Sequence, residues 1–179
     1  MSTHNVRDFE HWKNGELIYD SDKDPYTMQF IQKVLYGRHN VVVLIQTTDS
    51  NLFGVFHSFI PTQDEVKNGP KQYNETPNDD KMFLFSIKRH DESQFTFKIF
   101  NKMLKQTKSS LGLCATEKDG QYIYWIGNAI YLIGKIGEKK SQTNVYIHHY
   151  YEMTTNSDLI GYSEREKWFG VDRFCVIQL

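Results

Sequence analysis

Three aspartates alternate with other residues near the start of the chain. Asp20, Asp22 and Asp24 lie within the segment DSDKD, and alternating carboxylates can converge on one hard cation such as Ca²⁺. A calcium loop of this type also needs a glycine directly after the third acid and a glutamate at its twelfth position. Pro25 and Ile31 occupy those two positions. The pattern therefore predicts turn and helix-capping roles for the three aspartates and no metal site.

Two cysteines and seven histidines are the other side chains that could react or bind a metal. Cys114 and Cys175 lie far apart without a CxxC pair, which argues against a disulfide framework. Each lies in an apolar strand pattern that is typical of a small buried hydrophobe. His148 and His149 would face opposite sides of a strand, and we expect His57 to be structural. The sequence predicts no catalytic, cofactor-binding or metal-binding residue, and no cofactor.

A lysine series follows the first hundred residues. Lys98, Lys102, Lys105 and Lys108 recur at spacings of three or four, so on a helix their ammonium groups would share one face and could contact phosphates. The chain has 21 Lys and Arg against 22 Asp and Glu, so it has no overall attraction for nucleic acid. We interpret the series as a solvated connection between strands, with a nucleic-acid-binding site as the alternative.

The composition predicts one intracellular domain. The chain has 179 residues, of which 39% are hydrophobic, and a formal net charge of -1, which suits a single domain with a sizeable core. Its start lacks the features of a signal peptide, and no apolar stretch reaches the ~18 residues of a membrane span. We expect a cytoplasmic protein, with the nucleus as a further location. Residues 1–15 are predicted as a leader and residues 16–179 as the domain.

One helix is predicted between two strands in the first part of the chain. A short strand over residues 17–19 is followed by Asp24 as helix cap and Pro25 in the first turn. Gly37 can take the left-handed conformation that ends a helix. An apolar stripe supports this helix, formed by Phe30, Ile31, Val34 and Leu35.

The rest of the chain reads as strands. Residues 41–45 are apolar at every position, which predicts a central strand, and residues 52–59 return from the turn TTDSN. Gly54 marks a bulge or a close backbone approach. Residues 61–80 are predicted as a long exposed loop, and Gly127 and Asn128 as a two-residue hairpin turn. Further strands are predicted in 81–87, 94–100 with Phe95, Phe97 and Ile99 on one face, 111–115, 121–126, 129–134, 144–153 and 171–179.

Strands thus follow one another without intervening helices, which indicates antiparallel pairing. The predicted fold class is mainly β (α+β), a two-sheet antiparallel β-sandwich flanked by one or two main helices.

The order of these segments resembles the TLDc domain family. The resemblance is carried by LIYDSDKD, the following helix, the strand VVVLI, a polar turn, the strand NLFGVF and the segment FLFSI. It covers residues 16–179, and its first half is the more specific. Two positions depart from the family pattern: a glycine cluster is reduced to IGNA, and Cys175 stands where the final strand often carries glutamate.

The resemblance implies a β-sandwich with flanking helices and no shared catalytic mechanism. Members are linked to resistance to oxidative stress, and several bind and regulate the vacuolar proton-pumping ATPase. It therefore implies a non-enzymatic protein-interaction module with proton-pump subunits as a partner. The alternatives are the nucleic-acid-binding protein above and a thiol-based peroxide-responsive protein that uses Cys114 or Cys175.

Overall fold

The structure is a computed structural model that describes residues 14–67, 74–75, 79–103, 112–113, 122–127, 129–144, 146–155, 157–161 and 168–179. Within these residues the elements are β1 (Glu16–Asp20), α1 (Met28–Leu35), β2 (His39–Thr47), β3 (Leu52–Phe59), α2 (Gln63–Lys67), β4 (Asn74–Glu75), β5 (Phe83–Lys88), β6 (Lys98–Asn101), β7 (Gly112–Leu113), β8 (Tyr122–Ile126), β9 (Ile130–Ile133), β10 (Ser141–Thr143), a 3₁₀ turn (Ile147–His149), α3 (Ser157–Ile160), β11 (Trp168–Phe169) and β12 (Val171–Gln178).

The strands form two antiparallel sheets. The first sheet has the order β1-β12-β2-β3-β5-β6, and the second sheet has the order β11-β10-β9-β8-β7-β4. A single cluster of buried side chains includes Val43 and Phe174 from the first sheet and Ile126 and Leu132 from the second. The predicted antiparallel β-sandwich is confirmed.

The hairpin of β2 and β3 lies at the centre of the first sheet, as predicted. Val41, Val43 and Ile45 are fully buried, and β2 pairs with β12 on one side and β3 on the other. Gly54 is paired with Leu44. A Cβ on Gly54 would lie 2.1 Å from the Val43 carbonyl oxygen and 2.5 Å from Phe85 Cζ, so the close approach predicted there is confirmed.

Helix α1 begins later than the sequence predicts. Its N-cap is Thr27, whose hydroxyl accepts a hydrogen bond from the Phe30 amide. The Asp24 carboxylate instead accepts from the Asp20 amide at 3.0 Å, because residues 20–24 form a turn of their own before the helix. Its predicted end is confirmed, since Gly37 has a φ of +71°.

Three segments differ from the predicted loop and strands. Residues 61–80 contain α2 and β4 rather than a continuous loop. Of residues 94–100 only 98–100 lie in a strand, and Phe95 is 72% exposed. Residues 144–153 contain the 3₁₀ turn, because the Asn144 side chain accepts from the Tyr146 amide and starts a turn there. β8 and β9 pair as a hairpin, but the predicted two-residue turn of Gly127 and Asn128 is wrong, because the register pairs Ile126 with Ile130 and leaves three connecting residues.

None of the helices in the described ranges is long and apolar enough to cross a membrane.

Replacing Gly54 with alanine should destabilise the fold, because the new methyl group would collide with the backbone of β2. We expect a loss of about 3 kcal/mol in the free energy of unfolding, measured by chemical denaturation. Gly137→Ala is the matched control: φ is +81° there but no atom lies within 4 Å of the added Cβ, so we expect only about 1 kcal/mol. Equal losses in the two variants would contradict the steric explanation.

Candidate functional site

A buried carboxylate and an arginine connect the start and the end of the first sheet. Asp20 ends β1 and lies opposite Cys175 of β12, and it is only 2% exposed. Arg173 donates from Nε to Asp20 Oδ1 at 3.0 Å and from Nη2 to Asp20 Oδ2 at 2.7 Å. This two-pronged geometry is the strongest that arginine makes with a carboxylate. We call Asp20, Asp22, Arg173 and Cys175 the Asp20 cluster.

The turn after β1 positions Asp20 next to Arg173. The Ser21 hydroxyl accepts from the Phe174 amide at 2.9 Å, and the Ser21 amide donates to the Phe174 carbonyl. The Asp22 amide donates to Asp20 Oδ1, and the Asp22 carboxylate lies 3.3 Å from Arg173 Nε. The carboxylates of the alternating aspartates therefore bind an arginine and accept hydrogen bonds from backbone amides. In the described part of the chain, no three His, Cys, Asp or Glu side chains are grouped so that they could hold a metal ion.

The electrostatics of the pair favour its charged form. The Arg173 hydrogen bonds lower the pKa of Asp20 to about 2, against the opposing effect of burial. The same contacts raise the pKa of Arg173. Both groups therefore stay ionised across the physiological pH range.

Cys175 lies beside this pair rather than in the core. Its neighbours Phe174 and Val176 are fully buried in the core cluster, so the alternation of a strand directs Cys175 to the other face. Its Sγ is 3.8 Å from Asp20 Oδ1. Burial, and after it the Asp20 charge, raise the pKa of the thiol, while Arg173 lowers it by a smaller amount. The prediction of a buried core hydrophobe is wrong, and the thiol is mainly protonated at neutral pH.

Sequence reasoning missed the cationic neighbour of Cys175. Arg173 and Cys175 are two residues apart in one strand and so share a face. From this spacing alone, the sequence could have shown that a cation lies beside Cys175. Their carboxylate partner is 153 residues away from Arg173, and no local pattern identifies it.

A second polar group lies between the two sheets. His57 of β3 is fully buried, and its Nε2 lies 2.7 Å from the hydroxyl of Tyr124 on β8. The other ring nitrogen, Nδ1, has no hydrogen-bond partner in the described structure. Burial lowers the pKa of His57 to about 4, although the charge of Asp79 acts in the opposite direction. His57 is therefore neutral at physiological pH and joins the sheets, which agrees with the structural role expected of it.

Asp79 holds the end of β3 from the neighbouring loop. Its Oδ2 accepts from the Ser58 amide at 2.7 Å, and its Oδ1 accepts from the Ser58 hydroxyl at 2.6 Å.

Lys102 is 6% exposed, and burial lowers its pKa while Asp80 and Asp79 raise it. These charged groups therefore stabilise one another at the end of the sandwich.

The predicted lysine series does not form a helical face where it is described. Lys98 lies in β6, and its ammonium pairs with Glu92 Oε1 at 3.3 Å. Lys102 is buried and forms a β-bridge with Tyr151. Lys105 and Lys108 lie outside the described residues, as does Cys114. Nucleic-acid binding by the series stays an untested alternative.

His148 and His149 do not face opposite sides of a strand. Both lie in the 3₁₀ turn, and their ring centroids are 4.2 Å apart. The prediction that His148 and His149 lie in a strand is therefore wrong.

The family model of the TLDc domain matches residues 4–168. The chain therefore belongs to the TLDc domain family, as the sequence resemblance implied. No curated protein matches the chain.

The matched region ends before a strand that the first sheet requires. β12 covers 171–178 and lies between β1 and β2. Arg173 and Cys175 therefore lie beyond the matched residues, and they complete the Asp20 cluster from there.

Replacing Arg173 with alanine should destabilise the fold, because Asp20 would stay buried without its cationic partner. We expect the Tm to fall by on the order of 5 °C, measured by differential scanning calorimetry. Lys23→Ala is the matched control: the ammonium of Lys23 lies 3.9 Å from Asp20 but is well exposed, so its loss should have little effect. Similar Tm values for the two variants would contradict a special role of the two-pronged pair.

The stability of the fold should fall as His57 becomes protonated. Its pKa is about 4 in the folded chain against an ordinary value of 6.5, so the unfolded chain binds more protons between these values. Stability is complete above pH 6.5 and decreases towards pH 4, by roughly 3 kcal/mol in all. Chemical denaturation of the native chain and of His57→Gln at pH 7, 6, 5 and 4.5 measures this loss.

His39→Gln is the control for this experiment, because His39 is an exposed histidine of the neighbouring strand β2. Its pH profile should match that of the native chain, whereas His57→Gln should have the flatter profile. Parallel profiles for the native chain and His57→Gln would exclude His57 as the group responsible.

Proposed function

We propose that this TLDc domain acts as a non-enzymatic protein-interaction module in the response to oxidative stress. The observation that carries the proposal is that the buried ionisable side chains of Asp20, Asp79 and His57 are bonded to other residues of the same chain. Asp20 is engaged by Arg173, Asp79 by Ser58, and His57 by Tyr124. Side chains bonded in this way stabilise the fold. The family suggests that the domain acts by recognition at its surface.

The proposed partner is the vacuolar proton-pumping ATPase, and the proposed location is intracellular, in the cytoplasm with the nucleus as a further site. Family membership supports the partner, since several TLDc proteins bind and regulate that pump. The two alternatives have less support. Of the four lysines, Lys98 is paired and Lys102 is buried. The thiol of Cys175 has a raised pKa, which makes it a poorer nucleophile at neutral pH.

A protein-binding surface needs exposed side chains that a partner can bury, and Phe95 is the most exposed large apolar residue of the described ranges at 72%. The Lys88 ammonium lies 5.6 Å from its ring centroid. An aromatic ring with an adjacent cation is a common hot-spot arrangement in protein interfaces. The loop of residues 89–97 is therefore the proposed contact region.

The test is affinity purification of the tagged chain from resting and peroxide-treated cells, with proteins and DNA fragments scored together. We expect proton-pump subunits among the proteins, and we expect Phe95→Ala to reduce their recovery about tenfold. Tyr146→Ala is the matched control, since Tyr146 is another aromatic that is 61% exposed.

Each outcome of the purification discriminates between the candidates. Recovery of no stable protein partner would overturn the interaction proposal. Recovery of specific DNA instead would favour the lysine series. An equal effect of Phe95→Ala and Tyr146→Ala would remove the contact region but leave the proposed function in place.

A further inference from the structure

Two adjacent histidines, His148 and His149, bring their imidazole rings together at the surface. The ring centroids are 4.2 Å apart, and the ring planes are inclined at 62°, so the rings are not stacked face to face. His149 is exposed and His148 is half-buried. Neutral imidazole is the commonest metal ligand in proteins. Two imidazoles this close are therefore candidates for binding one ion.

The 3₁₀ turn explains why these two side chains are neighbours. Consecutive side chains of a strand point to opposite faces, and in a strand His148 and His149 could not easily bind one ion. A 3₁₀ helix has three residues per turn, so consecutive side chains are only about 120° apart around its axis. The observed turn removes the geometric objection to a shared metal ion.

Hydrogen bonds and buried side chains hold the turn on both sides of the pair. The Tyr146 amide donates to the Asn144 side chain at 2.8 Å, and the Ile147 side chain is fully buried. The His149 amide donates to the Tyr146 carbonyl at 2.9 Å. After the pair, Tyr151 is fully buried, and its amide donates to the Ile147 carbonyl at 3.1 Å. Because this backbone is already ordered, little conformational entropy is lost when an ion binds.

The surroundings of the pair suit a cation. The ring of Tyr146 lies against His149 with centroids 5.8 Å apart and planes inclined at 83°, a favourable edge-to-face contact that keeps this imidazole beside His148. Glu152 is exposed, and residues 146–153 contain no lysine or arginine. The formal charge of this segment is therefore negative.

The separation of the rings indicates which ion suits the pair. A metal lies ~2.0 Å from an imidazole nitrogen and so roughly 3.2 Å from the ring centroid. Rings at cis positions, about 90° apart, then have centroids roughly 4.5 Å from each other, and rings at tetrahedral positions roughly 5.2 Å. The observed 4.2 Å is nearer to the cis value. Rotation about χ2, a broad torsion in histidine, can turn one nitrogen of each ring towards a common point.

We propose that His148 and His149 form a surface binding site for a divalent transition-metal ion, with Cu²⁺ as the preferred ion. Cu²⁺ favours tetragonal sites with cis nitrogen ligands, and it binds such ligands more tightly than Ni²⁺ or Zn²⁺ does. One nitrogen of each imidazole coordinates the ion, and the other is left for a hydrogen bond. Water completes the coordination. This site does not include the loop of residues 89–97, so it stands or falls independently of the proposed function.

Calorimetric titration of the full, untagged chain with CuCl₂, with glycine as a competing ligand, tests the site. Every chain carries His4→Gln, because a histidine near the amino terminus can bind Cu²⁺ together with the terminal amine. We expect His148→Gln and His149→Gln each to weaken Cu²⁺ binding on the order of a hundredfold, since the remaining imidazole loses the advantage of two linked ligands. His39→Gln is the matched control: His39 is exposed on β2, and its loss should leave the affinity unchanged.

Pulsed electron paramagnetic resonance of the bound Cu²⁺ counts the imidazole ligands directly. We expect a tetragonal spectrum with coupling to both imidazoles when the pair is intact, and coupling to a single imidazole in either variant. Unchanged affinity in both variants, or a loss in only one of them, would overturn the shared site. A spectrum of the intact pair with fewer than two imidazoles would overturn it as well. That spectrum also decides the matter if a variant does not fold, which circular dichroism at pH 7 checks.

Discussion

Backbone pairing of β12 with both β1 and β2 is the contact on which the first sheet depends. Without β12 the sheet would lose the partner of β1 and leave the edge of β2 unpaired. The Asp20–Arg173 pair fixes the register of this strand, since a shift by one residue would turn Arg173 towards the core and leave Asp20 buried without a cation. Hydrophobic burial by Phe174 and Val176 supplies the attraction, and the charged pair determines which alignment is used.

The polar groups between the sheets have a related role. The buried His57–Tyr124 hydrogen bond is directional, whereas the surrounding apolar contacts are not, so it favours one arrangement of the two sheets over others. Asp79 fixes the end of β3 in the same way through Ser58. In this chain, buried polar side chains therefore favour one sandwich geometry.

The sequence predicted the fold well wherever the pattern was local and strong. The apolar run of β2, the helix stripe with Ile31 and Leu35, and the Gly54 approach could be read directly. Asp24 was misassigned as a cap because its carboxylate accepts from the Asp20 amide, within a separate turn of residues 20–24 that precedes the helix. Phe95 followed the period-two pattern, but its segment does not join the sheet. The Asp20 cluster could be predicted only in part, since the Arg173 and Cys175 spacing is local but their pairing with Asp20 spans most of the chain.

The position of β12 in the sequence affects the order in which the protein can fold during synthesis. β1 is made first and β12 is made last among the described strands, yet they are neighbours in the sheet. Until the ribosome has released residues 171–178, the nascent chain has unpaired edges on both β1 and β2, and such edges pair readily with other chains. Any product that stops before residue 171 would keep those edges open, so the two edges of β1 and β2 are protected only after β12 has been made.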